Sequence, residues 1–467
     1  MTRSYEVTPS PRRQLTDTDV LMLAAATAAA VWGGFEVVVV AVVLAAARRR
    51  VLTVLCCVAL TIAGSLAGKA EWAAAAPRHL GVFRGWAKVV TDPAPVRVGY
   101  RVTLGIEGER FDAFAAGPQR QVVATLSAGQ WLRIDARRVP LGVGARRSLE
   151  RHVVGRVRLD AVSAVVAGSV LDRASDRVRQ AVRRGGEAAM SPVEASLYSG
   201  LVLGDDAREP AWLIDAFRRS GLSHLTAVSG ENVAFLLAAA APMLRRLRPW
   251  WRWSATVALV AWFMALTRFE PSVLRAGVMS ILAATAFVLG RTATPLRLVA
   301  LAVIALVLLD PMLVWSVGFW LSVGATIGVC AVAPWLRTRL PGPAWLRAPL
   351  ALTLGAQVGV ALPSVLVFHR LPAVSVPANL AAVPVAGGVM LFGLPTGLVA
   401  AGLPGWAARA VMWPIGVGTR WVATVAQVAA RLEPAGRWEV VAWLPVLVGV
   451  PLVLWRGSRV RAPDVPI

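Results

Sequence analysis

A succession of apolar stretches, separated by short arginine-rich turns, limits this chain more than any other feature. Such stretches lie at about 232–244, 253–267, 273–290, 298–309, 313–334, 349–368, 374–402, 410–430 and 438–455, giving nine candidate passes. Several approach the roughly 20 residues that a helix needs to cross about 30 Å of hydrocarbon. With 57% hydrophobic residues and a mean hydropathy of +0.62, the chain is a polytopic α-helical membrane protein and not a soluble enzyme.

The arginines orient these passes. They cluster at 245–252, 291–297, 336–347 and 456–461. If residue 231 starts outside, alternation places every cluster on the cytoplasmic side, as the positive-inside rule requires. The N-terminus gives the same orientation independently. Its apolar stretch from Val20 to Ala47 is divided by Gly33 and Gly34, so it is either one tilted helix or a re-entrant hairpin. Arg48, Arg49 and Arg50 then mark a cytoplasmic turn, and Val51 to Gly68 crosses outward. Trp250, Trp251 and Trp253 read as an interfacial belt. Cys56, Cys57 and Cys330 lie inside apolar runs with no His or Cys at ligand spacing, which supports neither a disulfide framework nor a zinc site.

From about 80 to 165 the pattern changes to short β-like runs, at Val122–Leu126, Gln130–Ile134 and Val153–Val157, broken by Gly and Pro. About five such strands suit a small all-β, OB-like barrel, a fold that often binds single strands through basic grooves and stacked aromatics. Between Ala70 and Met190 there are 20 Lys+Arg against 11 Asp+Glu. The net charge of +23 over the whole chain is explained equally well by arginine-rich cytoplasmic loops. An excess in an exterior segment has no such explanation, so it points to a polyanion, with a solvated basic face as the plain alternative. Next, Leu171 to Arg184 reads as an amphipathic helix at the interface, with Leu171, Val178, Ala181 and Val182 near one face. The expected organisation is 1–70 N-terminal membrane segments, 80–167 β domain and 170–460 polytopic domain.

Polar residues interrupt the apolar runs where a membrane tolerates them only around a buried site or a wet path. His224-Leu-Thr-Ala-Val-Ser229-Gly230-Glu231-Asn232-Val is the densest such break. Asp205-Asp206, Arg218-Arg219, Glu270 and Arg275 at either end of Glu-Pro-Ser-Val-Leu-Arg, Asp310-Pro311, Gln357, His369-Arg370 and Asn379 are others. Pro363, Pro372, Pro377, Pro384 and Pro395 predict broken helices among them. A hydrolase reading takes Ser229 as nucleophile, His224 as base and Asp205 or Asp206 as orienting acid. A small-solute transporter more often shows internal repeats, and none is convincing here.

Several of these breaks resemble, in order, the motifs of the ComEC family of competence DNA-uptake channels. Gly200-Leu-Val-Leu-Gly-Asp205 is similar to the family's Gly-Leu-Leu-Leu-Gly-Asp element, and Gly221-Leu-Ser-His-Leu-Thr-Ala-Val-Ser-Gly230-Glu-Asn232-Val to its most specific motif. Pro271-Ser-Val-Leu-Arg275-Ala, Asp310-Pro311, Gly318-Phe319-Trp-Leu-Ser322, Gln357 with Pro363, and Pro377-Ala-Asn379-Leu resemble its later motifs. Glu231 departs from the apolar or small residue expected before Asn232.

The resemblance implies a channel that passes single-stranded DNA inward across the bacterial cytoplasmic membrane, with the OB-like domain outside and no catalytic residue, metal or cofactor. It implies a path drawn from Asp205, Arg218, Arg219, His224, Ser229, Gly230, Asn232, Glu270, Arg275, Gln357 and Asn379, the arginines contacting phosphates. Gly221 and Gly230 would permit irregular backbone at the pore. Nothing resembling the family's C-terminal metallo-β-lactamase-like domain follows, and no Gly-x-x-x-x-Gly-Lys loop occurs. Separate nuclease and motor proteins are therefore the expected partners.

Overall fold

The structure is a computed structural model that describes residues 15–47, 51–96, 98–142, 146–226, 230–368 and 372–434. Ser229, His369-Arg370, the arginine runs at 48–50 and 456–461 and the apolar stretch at 438–455 lie outside the described residues.

The first segment is a hairpin rather than one tilted helix. Helix α1 (Asp17–Gly33) opens on a capping box between Thr16 and Asp19. It ends at Gly34, whose φ of 64° is open to glycine at little cost. Helix α2 (Phe35–Ala47) returns alongside α3 (Val51–Ala74), where the Cys57 thiol meets the Ala41 carbonyl at 3.5 Å.

Six strands follow: β1 (Gly81–Val89), β2 (Ala94–Pro95), β3 (Tyr100–Ile106), β4 (Glu109–Ala115), β5 (Trp131–Pro140) and β6 (Val153–Val166). β1 pairs with both β3 and β5, β3 with β4, and β5 with β6, all antiparallel, while β4 and β6 run parallel. The pairings close a ring of five strands, with β2 flanking β3. Its interior is filled by alternate residues, among them Phe83, Leu104, Ile106, Phe111, Leu132 and Ile134. The expected strand at Val122–Leu126 is instead helix α4 (Gln119–Ala124), which begins at Pro118 and plugs the core with Val123. Its two valines gave a strand-like local signal, but only one of them is buried. Helix α5 (Arg146–Leu149) precedes β6.

The remainder is helical: α6 (Val170–Glu187), α7 (Pro192–Leu203), α8 (Ala211–Arg219), α9 (Ser223–Thr226), α10 (Gly230–Leu244), α11 (Pro249–Leu266), α12 (Pro271–Val288), α13 (Pro295–Leu309), α14 (Val317–Ile327), α15 (Ala333–Arg339), α16 (Ala344–Phe368), α17 (Ser375–Ala400) and α18 (Gly405–Leu432). Among the described residues, four helical stretches are long and apolar enough to cross a membrane: Val51–Ala74, Val317–Arg339, Ala344–Phe368 and Ser375–Ala400. Shorter apolar helices accompany them at Gly230–Leu244, Ser272–Val288 and Pro295–Leu309. The chain is thus a multi-pass helical membrane protein with an inserted small β domain.

Two expectations change. Pro363, Pro384 and Pro395 lie within continuous helices, since neighbouring segments can satisfy the backbone groups that proline frees. Helix α6 leaves Leu171 exposed but turns Val182 into the protein, together with Ser175, Arg179, Gly185 and Gly186.

Helices α14 and α16 meet through two facing pairs of small residues. Gly324 approaches the Gly359 backbone, and Gly328 approaches that of Gly355. Along each segment the two glycines are four apart, the spacing that lets membrane helices come within backbone contact. A methyl group on Gly355 would sit 2.9 Å from the Gly328 carbonyl oxygen. Gly355→Val should therefore push the helices apart and lower the unfolding temperature of the purified protein, an overpacking cost of about 1–3 kcal/mol. An unchanged transition in detergent would contradict this interface.

Candidate functional site

Residues 221–226 and 230–232 form a centre to which several of the other motifs converge. Helix α8 stops at Ser220, and Gly221 takes a φ of 74°, letting the Leu222 N–H bond back to the Phe217 carbonyl at 2.9 Å. The turn brings Gly221 against Ser375 at the start of α17. There Gln357 of α16 donates to the Ser375 hydroxyl at 2.9 Å, and Asn379 donates to the Ser375 carbonyl at 2.8 Å. Asn232 is buried and donates to the Leu201 carbonyl of α7 at 3.2 Å, so it braces the bundle rather than facing open space. Gly230 packs on Ala276 and the Arg275 guanidinium of α12.

Arg275 is the most demanding residue of this centre, because only 5% of it is exposed. Its guanidinium donates to the hydroxyls of Ser322 and Thr326 on α14, the latter at 2.7 Å, and its Nε has no partner among the described residues. Among the described residues no carboxylate pairs with it. A desolvated cation held by hydroxyls and the Met279 sulfur, with no opposite charge, costs several kcal/mol relative to one that is paired.

His224 is reached by water yet lies close to much of the protein, and desolvation pushes its pKa below the usual imidazole range, opposed by Glu231. The acid beside it is therefore Glu231, rather than Asp205 or Asp206. Arg218 and Arg219 are exposed on the last turn of α8, and neither enters an ion pair among the described residues.

Asp205 belongs to a second cluster, where the β domain meets the helices, and Glu270 lies within electrostatic reach of Arg179 and Asp206 beside it. Asp92, in the loop after β1, accepts from Arg179 of α6 at 3.2 Å, from Arg268 at 3.2 Å and from the Ala128 N–H at 2.8 Å. Burial alone would raise the Asp92 pKa, but the two arginines hold it below the usual carboxylate range. Arg268 also reaches Asp176 at 2.6 Å, and Arg179 donates to the Leu266 carbonyl at 3.0 Å. Asp205 is paired with Arg183 and lies 4.0 Å from Arg179. These residues line a cleft of about 180 Å³ that Tyr100 also borders. At the other end of the domain, His152 bridges to Asp310 at 3.0 Å and to Glu71 at 3.8 Å. The Asp310 hydrogen bond is the main reason that its pKa is raised.

Sequence reasoning missed Asp92, Arg179, Arg268, Glu209, Ser322 and Thr326. For Arg179 a signal was available: it lies on the helix face shared by Ser175 and Val182, so an amphipathic α6 must bury it. Ser322 was quoted only within a motif, because nothing local ties it to Arg275, 47 residues away.

A family model described as competence protein matches residues 201–459. The chain belongs to the competence protein family. That placement supports a role in DNA uptake in general, and the motif contacts described above fall within the matched span. The chain is also 27% identical over 199 residues to the uncharacterized protein YcaI of Escherichia coli (strain K12), covering 39% of this chain and 26% of that protein. It thus spans about a quarter of that relative's length. No solved structure matches the chain.

Glu209 gives the sharpest pH dependence. It is 7% exposed, neither carboxylate oxygen has a partner among the described residues, and desolvation, with help from Asp206 and Asp205, pushes its pKa up to about 8. The folded state therefore holds this proton more tightly than the unfolded chain, so stability falls as pH rises from the ordinary 4.5 to about 8. Glu209→Gln should be more stable than the parent at pH 9, by roughly 2–4 kcal/mol, with little difference near pH 4. Melting curves across this range would refute the assignment if the gap were independent of pH.

Proposed function

We propose that the protein is a channel-type component of competence that conducts single-stranded DNA across the cytoplasmic membrane, and not an enzyme. The observation that carries this reading is Arg275. A buried guanidinium with hydroxyl partners and no described carboxylate is suited to an anion that is present only transiently, and the phosphates of a passing strand are such anions. Ser322 and Thr326 hold the fork in place between strands. Around it, Gly221 and Gly230 let backbone come close to α17 and α12, while Gln357, Asn379 and Asn232 satisfy carbonyl and hydroxyl groups at the same centre. Arg218 and Arg219 offer exposed cations at the end of α8, and His224 with Glu231 supplies a second polar, water-reachable pair. Ser229 stays in the proposed path on the strength of the motif alone.

Orientation follows from the two ends of the bundle. Arg268, just after α11, and Asp310, just after α13, both touch the β domain. The starts of these helices, where 245–252 and 291–297 fall, therefore lie at the far end. The positive-inside rule makes that end cytoplasmic and the β domain exterior. The strand order of the β domain, with its single parallel pair and a helix before β5, supports an OB-like barrel that gathers the strand. Energy input and any strand degradation are assigned to separate motor and nuclease proteins.

Two experiments test this. In a transformable strain that depends on this chain, Arg275→Gln should cut transformation at least ~10-fold, the loss of one charge-assisted contact of about 1.5–3 kcal/mol. Arg275→Lys should retain part of the activity, with equal protein in the membrane for both. Full activity in Arg275→Gln would remove the central element of the proposal. In a cysteine-free background, a cysteine at Gln121 should react with an impermeant reagent from outside and one at Thr338 only from inside; reversed labelling would overturn the direction of transport.

A further inference from the structure

Strands β1 and β5 carry an outward ladder that nothing in the centre described above uses. Alternation along each strand sends Val82, Arg84, Trp86 and Lys88 of β1 and Trp131, Arg133, Asp135 and Arg137 of β5 out of the barrel. In register, Trp86 lies opposite Arg133, and Trp131 opposite Lys88. The two tryptophans are thus diagonal neighbours, each flanked by a cation, with Cβ atoms on the order of 7–8 Å apart. They remain 45% and 43% exposed. Among the described residues neither indole N–H has a hydrogen-bond partner, and Lys88, Arg133 and Arg137 enter no ion pair. Arg84 and Asp135 pair loosely at 3.9 Å, both exposed.

The β3–β4 face, the one that barrels of this strand order commonly use, is different. Thr103 donates to buried Asp112 at 2.8 Å, Arg151 pairs with Asp112 at 2.7 Å, and Arg156 covers the Phe114 ring at 5.8 Å. Much of its polar and aromatic chemistry is already engaged within the protein.

We infer that the β1–β5 ladder is the strand-binding face: single-stranded DNA lies across it with bases stacked on Trp86 and Trp131 and phosphates against Lys88, Arg133 and Arg137. Bare aromatics alternating with unpaired cations are the chemistry of such platforms. An anionic lipid surface fits less well, because Val82 is the ladder's one aliphatic group and the indoles alternate with charges instead of forming an apolar rim. This inference rests on the β domain being the exterior DNA-gathering element.

The full-length protein in nanodiscs of zwitterionic lipid, titrated into fluorescent oligothymidylate at low salt, tests it. Trp86→Ala with Trp131→Ala should weaken binding at least ~30-fold, while Trp86→Phe with Trp131→Phe should keep most of it. Arg133→Gln with Arg137→Gln should weaken binding and flatten its salt dependence. Phe114→Ala with Arg156→Gln should stay within about twofold of the parent, since that face carries no strand here. If the parent binds, and the Phe114 and Arg156 pair loses binding while the alanine pair keeps it, the face is wrong and the gathering role survives. If the parent does not bind at all, the gathering role itself fails. If the alanine pair binds DNA normally but loses adhesion of the protein to phosphatidylglycerol vesicles, the ladder is a lipid contact and the inference is overturned.

Discussion

Gly221, Gly230 and Asn232 impose the constraint on which the helical region depends: a polar, glycine-jointed stretch must find partners for its backbone and side chains among apolar helices. The solution is contact with three helices at once, through Gly221 on α17, Asn232 on α7 and Gly230 on α12. Each contact fixes a neighbour in turn. Because α12 is held at Gly230, Arg275 is set facing α14, and α14 can accept it only because its glycines let α16 approach on another side. The cost of the buried guanidinium is thereby spread over a packing arrangement that would lose its purpose without it.

The β domain is held by a different kind of force. Its attachments are ionic and lie at both ends of the barrel, Asp92 with Arg179 and Arg268 at one and His152 with Asp310 and Glu71 at the other. Partly buried ionic contacts of this kind fix position and register more than they add stability. They keep a cleft between barrel and helices lined by both signs of charge. Together they place a self-contained barrel over the same end of the bundle at which α11 and α13 finish.

The class of the protein was legible because apolar length and arginine spacing are local properties, and so was a β insertion, because alternation is local too. Helix number and length were less so. The run at 313–334 divides into a turn after Asp310 and a helix from Val317, since Asp310 caps that turn while also receiving His152. The hairpin at Gly34 needed a backbone angle that the sequence leaves open. Of the site, the motifs named Arg275, Asn232, Gln357 and Asn379 individually, but only Asn379 has a local partner, the Ser375 carbonyl, while those of the other three are set by packing across 18 to 51 residues. The Gly324–Gly328 and Gly355–Gly359 spacings were readable and went unused. Glu209 was not, since nothing in its neighbourhood of sequence reveals a carboxyl buried without a partner.

The central claim is that a single strand passes through the bundle beside Arg275. Single-channel recording of the purified protein in a planar bilayer tests it most directly, with oligothymidylate added to the β-domain side. Transient current blockades that lengthen with strand length, and that change in duration in Arg275→Gln, are the predicted result. A conductance indifferent to DNA on that side, or blockades untouched by Arg275→Gln, would contradict it.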